Sequence, residues 1–154
     1  MSHRRKIYLD VCAYNRPFDN QLDRKIALEA EGVIAILMEC LAEHFVLVSS
    51  DIVKFEVSLI PDTERKNAVG SLSSLANTVV EIDDGVIENA KKLEELSISP
   101  FDALHISCAE KGGVEFFITT DYKLIRLCEK HSDSIKLSAV TPLVFAAEEI
   151  ENEN

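Results

Sequence analysis

Apolar positions along this chain switch repeatedly between strand-like and helix-like spacing. Residues 6–9 form a short apolar run that stops at Asp10, as a first strand would. From about 23 to 43, Ile26, Ala30, Val33, Ile34, Leu37, Met38 and Leu41 follow the three-and-four spacing of a long amphipathic helix. The β-branched run at 45–49 predicts a second strand, after which Ser49 or Ser50 can cap a helix through 59 that Pro61 ends. A helix over 62–75 and a strand over 78–82 follow, and Asp83 or Asp84 caps a helix to about 96. Ser99-Pro100 opens a helix that closes near Gly112-Gly113, ahead of a strand over 115–119. Asp121 starts another helix, and a last strand near 135–140 precedes a terminal helix after Pro142. This alternation predicts an α/β fold, a three-layer α/β/α sandwich around a central, mainly parallel sheet. Such sheets bind ligands at the carboxyl ends of their strands.

With 154 residues, 47% of them hydrophobic, one domain is expected over 1–147, with an acidic tail at 148–154 that frays. No linker, repeat or low-complexity tract divides the chain. Its apolar runs fall far short of the ~20 residues that span a bilayer, and no apolar signal core follows the N-terminal charges. A cytoplasmic protein without membrane contact is the expectation. Cys12, Cys40, Cys108 and Cys128 lack metal-ligand spacing and suit reduced, mostly buried thiols. A formal net charge of -11 argues against tight non-specific nucleic-acid binding, which relies on Lys and Arg. It leaves room for a nuclease, because acids gathered around a divalent cation attract phosphate once the cation is bound. Arg4-Arg5-Lys6 is a local basic patch, or simply a solvated leader.

Four acids stand out by position. Asp10 closes the first strand and Asp121 follows the 115–119 strand, so both fall at one edge of the sheet. Glu56, about a turn past the second strand, and Asp102, in the first turn of the Ser99-Pro100 helix, can lean towards that edge. Each has an ordinary role as well: Asp121 as a helix N-cap, Asp102 as the acid of a capping box with Ser99, Glu56 as a solvated helix residue. Asp10, half-buried beside an apolar strand, is harder to explain without a partner. Carboxylates brought together stay ionised only if a cation compensates them, and oxygen donors without a Cys or His set favour Mg²⁺ or Mn²⁺ over zinc.

Tyr8-Leu9-Asp10, the loop Tyr14-Asn15-Arg16-Pro17-Phe18-Asp19, Phe55-Glu56, Asp102-Ala103-Leu104-His105 and Thr119-Thr120-Asp121 together resemble the PIN-domain proteins over nearly the whole chain. The likeness is greatest to bacterial and archaeal members, many of them toxin ribonucleases of the VapC type. The resemblance implies a catalytic quartet of Asp10, Glu56, Asp102 and Asp121, in which Asp10, Asp102 and Asp121 hold Mg²⁺ or Mn²⁺ and Glu56 orients or deprotonates the attacking water. It also implies hydrolysis of single-stranded or looped RNA to a 5'-phosphate and a 3'-hydroxyl, a homodimer, and a cognate antitoxin as partner.

The same resemblance suggests that Thr119 or Thr120 positions the water or a carboxylate, although both also suit the end of a strand. His105 can approach the site or serve as a hydrogen-bonded core histidine. Arg16, with Asn15, can meet a phosphate, or Arg16 can order its loop by pairing with Asp19. Tyr122-Lys123-Leu124 lacks a further acid that some relatives carry, which separates the chain from the simplest toxin pattern. A phosphotransfer receiver or a haloacid-dehalogenase-like phosphatase would need a second acid near Asp10, where this chain has Val11 and Cys12. The remaining alternative is a PIN fold that binds RNA or protein without cutting, against which four converging acids argue.

Overall fold

The computed structural model describes residues 4–150. Five strands, β1 (Arg5–Leu9), β2 (Phe45–Ser50), β3 (Thr78–Val80), β4 (Phe116–Ile118) and β5 (Ser138–Val140), form one sheet in the order β3-β2-β1-β4-β5, with every neighbouring pair parallel. Around it pack α1 (Val11–Asn15), α2 (Arg24–Leu41), α3 (Asp51–Ser58), α4 (Thr63–Ser73), α5 (Asp84–Glu94), α6 (Pro100–Lys111), α7 (Tyr122–Lys130) and α8 (Pro142–Phe145). The chain therefore adopts the expected three-layer α/β/α architecture. Ile7, Tyr8 and Leu9 of β1 are wholly buried, as a central strand covered on both faces requires.

Local chemistry sets the helix starts. Side chains of Asp23, Ser50, Asp62, Asp83, Asp121 and Thr141 each accept a hydrogen bond from a backbone N–H in the first turn that would otherwise lack a partner. Pro100 and Pro142 occupy first-turn positions, where a missing N–H costs nothing. Gly32 lets α2 rest on the start of α8: a Cβ there would stand 3.2 Å from the carbonyl carbon and oxygen of Pro142.

Several boundaries differ from the sequence expectation. The segment expected as a loop after Asp10 is helical, α1 followed by a 3-10 turn at Arg16–Phe18. Five residues are too few to display a helical period. Strands β3, β4 and β5 are shorter than 78–82, 115–119 and 135–140; Ile135 and Leu137 are buried but precede the paired residues. In the expected tail, Glu148–Ile150 belong to a π-helical turn at Ala146–Ile150 whose Glu149 pairs with Arg5, while 151–154 lie outside the described residues. Cys40, Cys108 and Cys128 are buried, whereas Cys12 is only half-buried. Among the described residues no helix is long and apolar enough to cross a membrane.

The strand order positions the site. From β1 the sheet continues through β2 and β3 on one side and through β4 and β5 on the other, so the order reverses between β1 and β4. The crevice beyond the carboxyl ends at such a reversal is where parallel sheets accept ligands. Asp10 follows β1 there, and Thr119 to Asp121 follow β4.

Candidate active site

Asp10 stays zipped to β4, its N–H donating to the Ile118 carbonyl at 2.9 Å. Its nearly buried carboxylate is held from two sides. Oδ1 accepts from the Val11 N–H at 2.8 Å, which caps α1, and Oδ2 accepts from the Thr119 hydroxyl at 2.8 Å. The same Thr119 Oγ1 accepts from the Asp121 N–H at 3.1 Å. One fully buried hydroxyl thus ties the acid after β1 to the backbone of the acid after β4. Asp121 caps α7, Oδ1 accepting from the Leu124 N–H at 3.1 Å, and its side chain stays exposed to the crevice.

Asp102 lies in the first turn of α6. Ser99 Oγ donates to its Oδ2 at 2.9 Å instead of capping the helix. Asp102 and Asp121 line one small cavity of about 170 Å³ together with Ser97, Ser99, Lys123 and Leu124. Burial, reinforced by the charges of Asp10 and Asp121, holds the Asp102 carboxyl above the usual value despite the Ser99 bond and the nearby His105.

Glu56 is joined to the other acids through His105. The His105 ring is fully buried: Nε2 meets the Glu56 carboxylate and stands 3.8 Å from Asp10 Oδ1, while Nδ1 lies 2.7 Å from the Tyr8 hydroxyl. Tyr8 in turn lies 2.6 Å from Ser50 Oγ, the cap of α3. Burial alone would lower the His105 pKa, but the hydrogen bond to Glu56 and the charges of Asp10, Glu56 and Asp102 raise it above the usual value. His105 is therefore both a core histidine and a neighbour of two of the acids.

Arg16 takes the loop-ordering role. Its Nη1 donates to Asp19 Oδ2 and its Nε to Glu29 Oε1, both at 2.9 Å. Asn15 donates to the Val11 carbonyl at 3.0 Å and accepts from Arg65 Nη1 at 3.0 Å; the same nitrogen reaches Asp19 Oδ1 at 2.7 Å. Sequence reasoning missed Glu29, Arg65, Tyr8 and Cys12. A signal for Glu29 existed, because it falls three residues after Ile26 and four before Val33, on the apolar stripe of α2.

Cys12 lies 3.5 Å from Asp10 Oδ2 and 3.3 Å from Thr119 Oγ1, and accepts from the Thr120 N–H at 3.4 Å. Burial, with the Asp10 charge, pushes its thiol up to about 12, so it stays protonated and is a poor soft-metal ligand. Carboxylate and hydroxyl oxygens then make a donor set that suits a hard divalent cation, and such an ion would relieve the charge crowded around Asp102. As placed, no three His, Cys, Asp or Glu side chains among the described residues converge closely enough to hold one.

The family model for the PIN domain matches residues 7–130. A search of curated proteins finds no match. Among solved structures the chain is similar to VapBC2 from Rickettsia felis bound to a DNA fragment from their promoter, with a TM-score of 0.56 and 18% identity over 88% of this chain and 98% of that one. It is also similar to PAE2754 from Pyrobaculum aerophilum, with a TM-score of 0.54 and 13% identity over 94% of this chain and 96% of that one. At these identities the likeness is one of fold.

Proposed function

The chain belongs to the PIN-domain family, and we propose that it is a Mg²⁺- or Mn²⁺-dependent ribonuclease that hydrolyses phosphodiester bonds of single-stranded or looped RNA. The observation that carries this reading is the placement of Asp10 and Asp121 after β1 and β4, where the strand order reverses, with Asp102 and Asp121 lining one cavity beside them. A binding surface has no use for mutually repelling acids in a crevice, whereas a cation site does.

Asp10, Asp102 and Asp121 are the residues that would hold the ion. When bound, it supplies Lewis-acid polarisation of a phosphoryl oxygen and a lowered pKa for the attacking water. Thr119 fixes the rotamer of Asp10, and Ser99 that of Asp102. Glu56, anchored by His105, orients the attacking water and takes its proton. Lys123, beside Asp102 and Asp121 in the same cavity, offers a cation to the phosphate. The products are a 5'-phosphate and a 3'-hydroxyl. The similarity to a VapBC pair supports a toxin role with an antitoxin partner, and homodimerisation and a cytoplasmic setting belong to the same reading.

The test is cleavage of labelled single-stranded and structured RNAs in Mn²⁺ or Mg²⁺, with EDTA and Asp102→Asn as paired controls. Metal-dependent cutting that both controls abolish is the expected result. A second reading, a PIN fold that binds RNA or protein without cutting, draws on the absence of a converged acid trio among the described residues. Absence of cutting, together with no Mn²⁺ binding by calorimetry, would favour it.

A further inference from the structure

Tyr8 places a hydroxyl in the middle of the core. Its ring is wholly buried on the central strand and stacks on Phe117, its register partner on β4, with centroids 5.3 Å apart at 14°. Phe117 packs there without a hydroxyl, so packing alone asks for none at Tyr8. A buried hydroxyl costs stability unless it finds partners. Here it finds two that are themselves buried, Ser50 Oγ at 2.6 Å and His105 Nδ1 at 2.7 Å. The far side of the imidazole is committed as well: a carboxylate only accepts, so Nε2 carries the proton it shares with Glu56.

These contacts close on themselves. Ser50 Oγ accepts from the Val53 N–H at 3.3 Å and so caps α3, the helix that bears Glu56 three residues further on. β1, the end of β2, α3 and α6 each contribute one member. Nε2 stands 3.8 Å from Asp10 Oδ1, beyond hydrogen-bond reach, so the same ring sets the spacing between Glu56 and Asp10. Asp102 lies one turn before His105 on α6. Glu56 itself sits at the rim, its side chain 26% exposed, where a glutamate changes rotamer freely unless something holds it. A buried polar network whose members are all satisfied specifies one arrangement.

We infer that Tyr8 and Ser50 are positioning residues for the reaction: acting through His105, they lock the Glu56 carboxylate in one rotamer beside Asp10, the arrangement from which it takes the proton of the attacking water. The inference rests on the nuclease reading of the acids. Tyr8 touches neither substrate nor cation; its hydroxyl acts by preorganising the group that does. Substrate affinity and cation affinity are therefore insensitive to it.

Tyr8→Phe deletes the hydroxyl and keeps the ring on Phe117, and circular dichroism should show the variant folded. In Mn²⁺ its kcat for RNA should fall about 10- to 100-fold, the effect of a small misplacement of a reacting group, with KM and the calorimetric Mn²⁺ affinity unchanged. The same substitution made on Glu56→Gln should cost nothing further, because a positioning residue has no effect once the group it positions is gone. A loss that simply adds to that of Glu56→Gln would make Tyr8 a structural residue and overturn the inference. A second readout needs neither cation nor cleavage. In EDTA, nitrogen-15 NMR of the histidine rings should show a slowly exchanging His105 Nε2 proton in the wild type, and faster exchange with a displaced Nδ1 signal in Tyr8→Phe. A wild-type ring proton that exchanges as freely as that of an exposed histidine, or identical His105 spectra in the two proteins, would show that Tyr8 does not hold the ring. The two readings separate cleanly. A wild type that gives the expected spectrum but never cuts RNA in Mn²⁺ removes the nuclease reading and the catalytic role with it. A wild type that cuts, with unchanged kcat in Tyr8→Phe, removes the positioning role alone.

Discussion

Glu56 reaches the body of the fold through His105, whose buried ring holds the Glu56 carboxylate with one nitrogen and lies 2.7 Å from the Tyr8 hydroxyl with the other. A glutamate at the rim of the crevice is thereby tied to the central strand. His105→Ala removes a buried ring and one partner of a buried hydroxyl, and should cost about 2–4 kcal/mol in urea unfolding. Glu56→Gln keeps an oxygen for the imidazole, so its stability should move by less than about 1 kcal/mol while cleavage falls about 100-fold or more. Unimpaired cutting by Glu56→Gln would remove it as general base.

Asp102 gives a prediction in which activity and stability move in opposite directions. Its carboxyl is held high in the folded chain by burial and by Asp10 and Asp121. A raised folded pKa favours folding when the group is protonated, and that contribution is lost as pH rises through the folded pKa. Asp102→Asn escapes the loss. In EDTA near pH 7 it should melt about 2 °C above the wild type, a partly screened effect, and the gap should close near pH 3. Mn²⁺ should raise the Tm of the wild type and leave that of the variant unchanged. A variant that melts lower at both pH values would show that the acids do not repel one another.

Thr119 holds Asp10 and the backbone of Asp121 with one oxygen. Thr119→Val keeps the shape but leaves a nearly buried carboxylate short of a donor, at about 1–3 kcal/mol, and it should weaken Mn²⁺ binding by calorimetry. Thr119→Ser should recover most of both. Equal Mn²⁺ affinity in the Val variant would confine Thr119 to structure.

Arg16 should behave as a structural residue. Arg16→Ala strands the fully buried Glu29 and should cost about 3–5 kcal/mol, with KM for RNA unchanged in the folded fraction. Adding Glu29→Leu should restore much of the stability. A KM effect that persists in the double variant would return Arg16 to the phosphate.

Buried thiols predict an alkaline weakness. Cys40, Cys108 and Cys128 are pushed by burial from 9.0 to about 12, 11 and 12. Their contribution is intact below pH 9 and drains away as pH rises towards the folded values, by at most about 1.4 kcal/mol per pH unit for each thiol. Urea midpoints should fall above pH 9, and Cys128→Ala should flatten the slope. An unchanged slope would mean that the thiol does not titrate in the unfolded chain alone.

Much of this molecule is legible in one dimension. The long period of α2, the capping residues and the strand–helix alternation are properties of neighbours in sequence, and together they determined the parallel sandwich and placed Asp10 and Asp121 at one edge of the sheet. The five-residue α1 is too short to carry a period, and Asp121, proposed as a site acid, also caps α7.

The amino-acid sequence by itself determined which elements form, where they start and which acids stand at strand ends, because those outcomes depend on residues a few positions apart. Tertiary structure alone decided the pairings: His105 with Glu56, Arg16 with the buried Glu29, Thr119 with Asp10, Phe55 against Phe101. Coulomb energy, desolvation and ring contact depend on distance through space, and distant segments acquire that distance only when the sheet brings β1, β2 and β4 side by side.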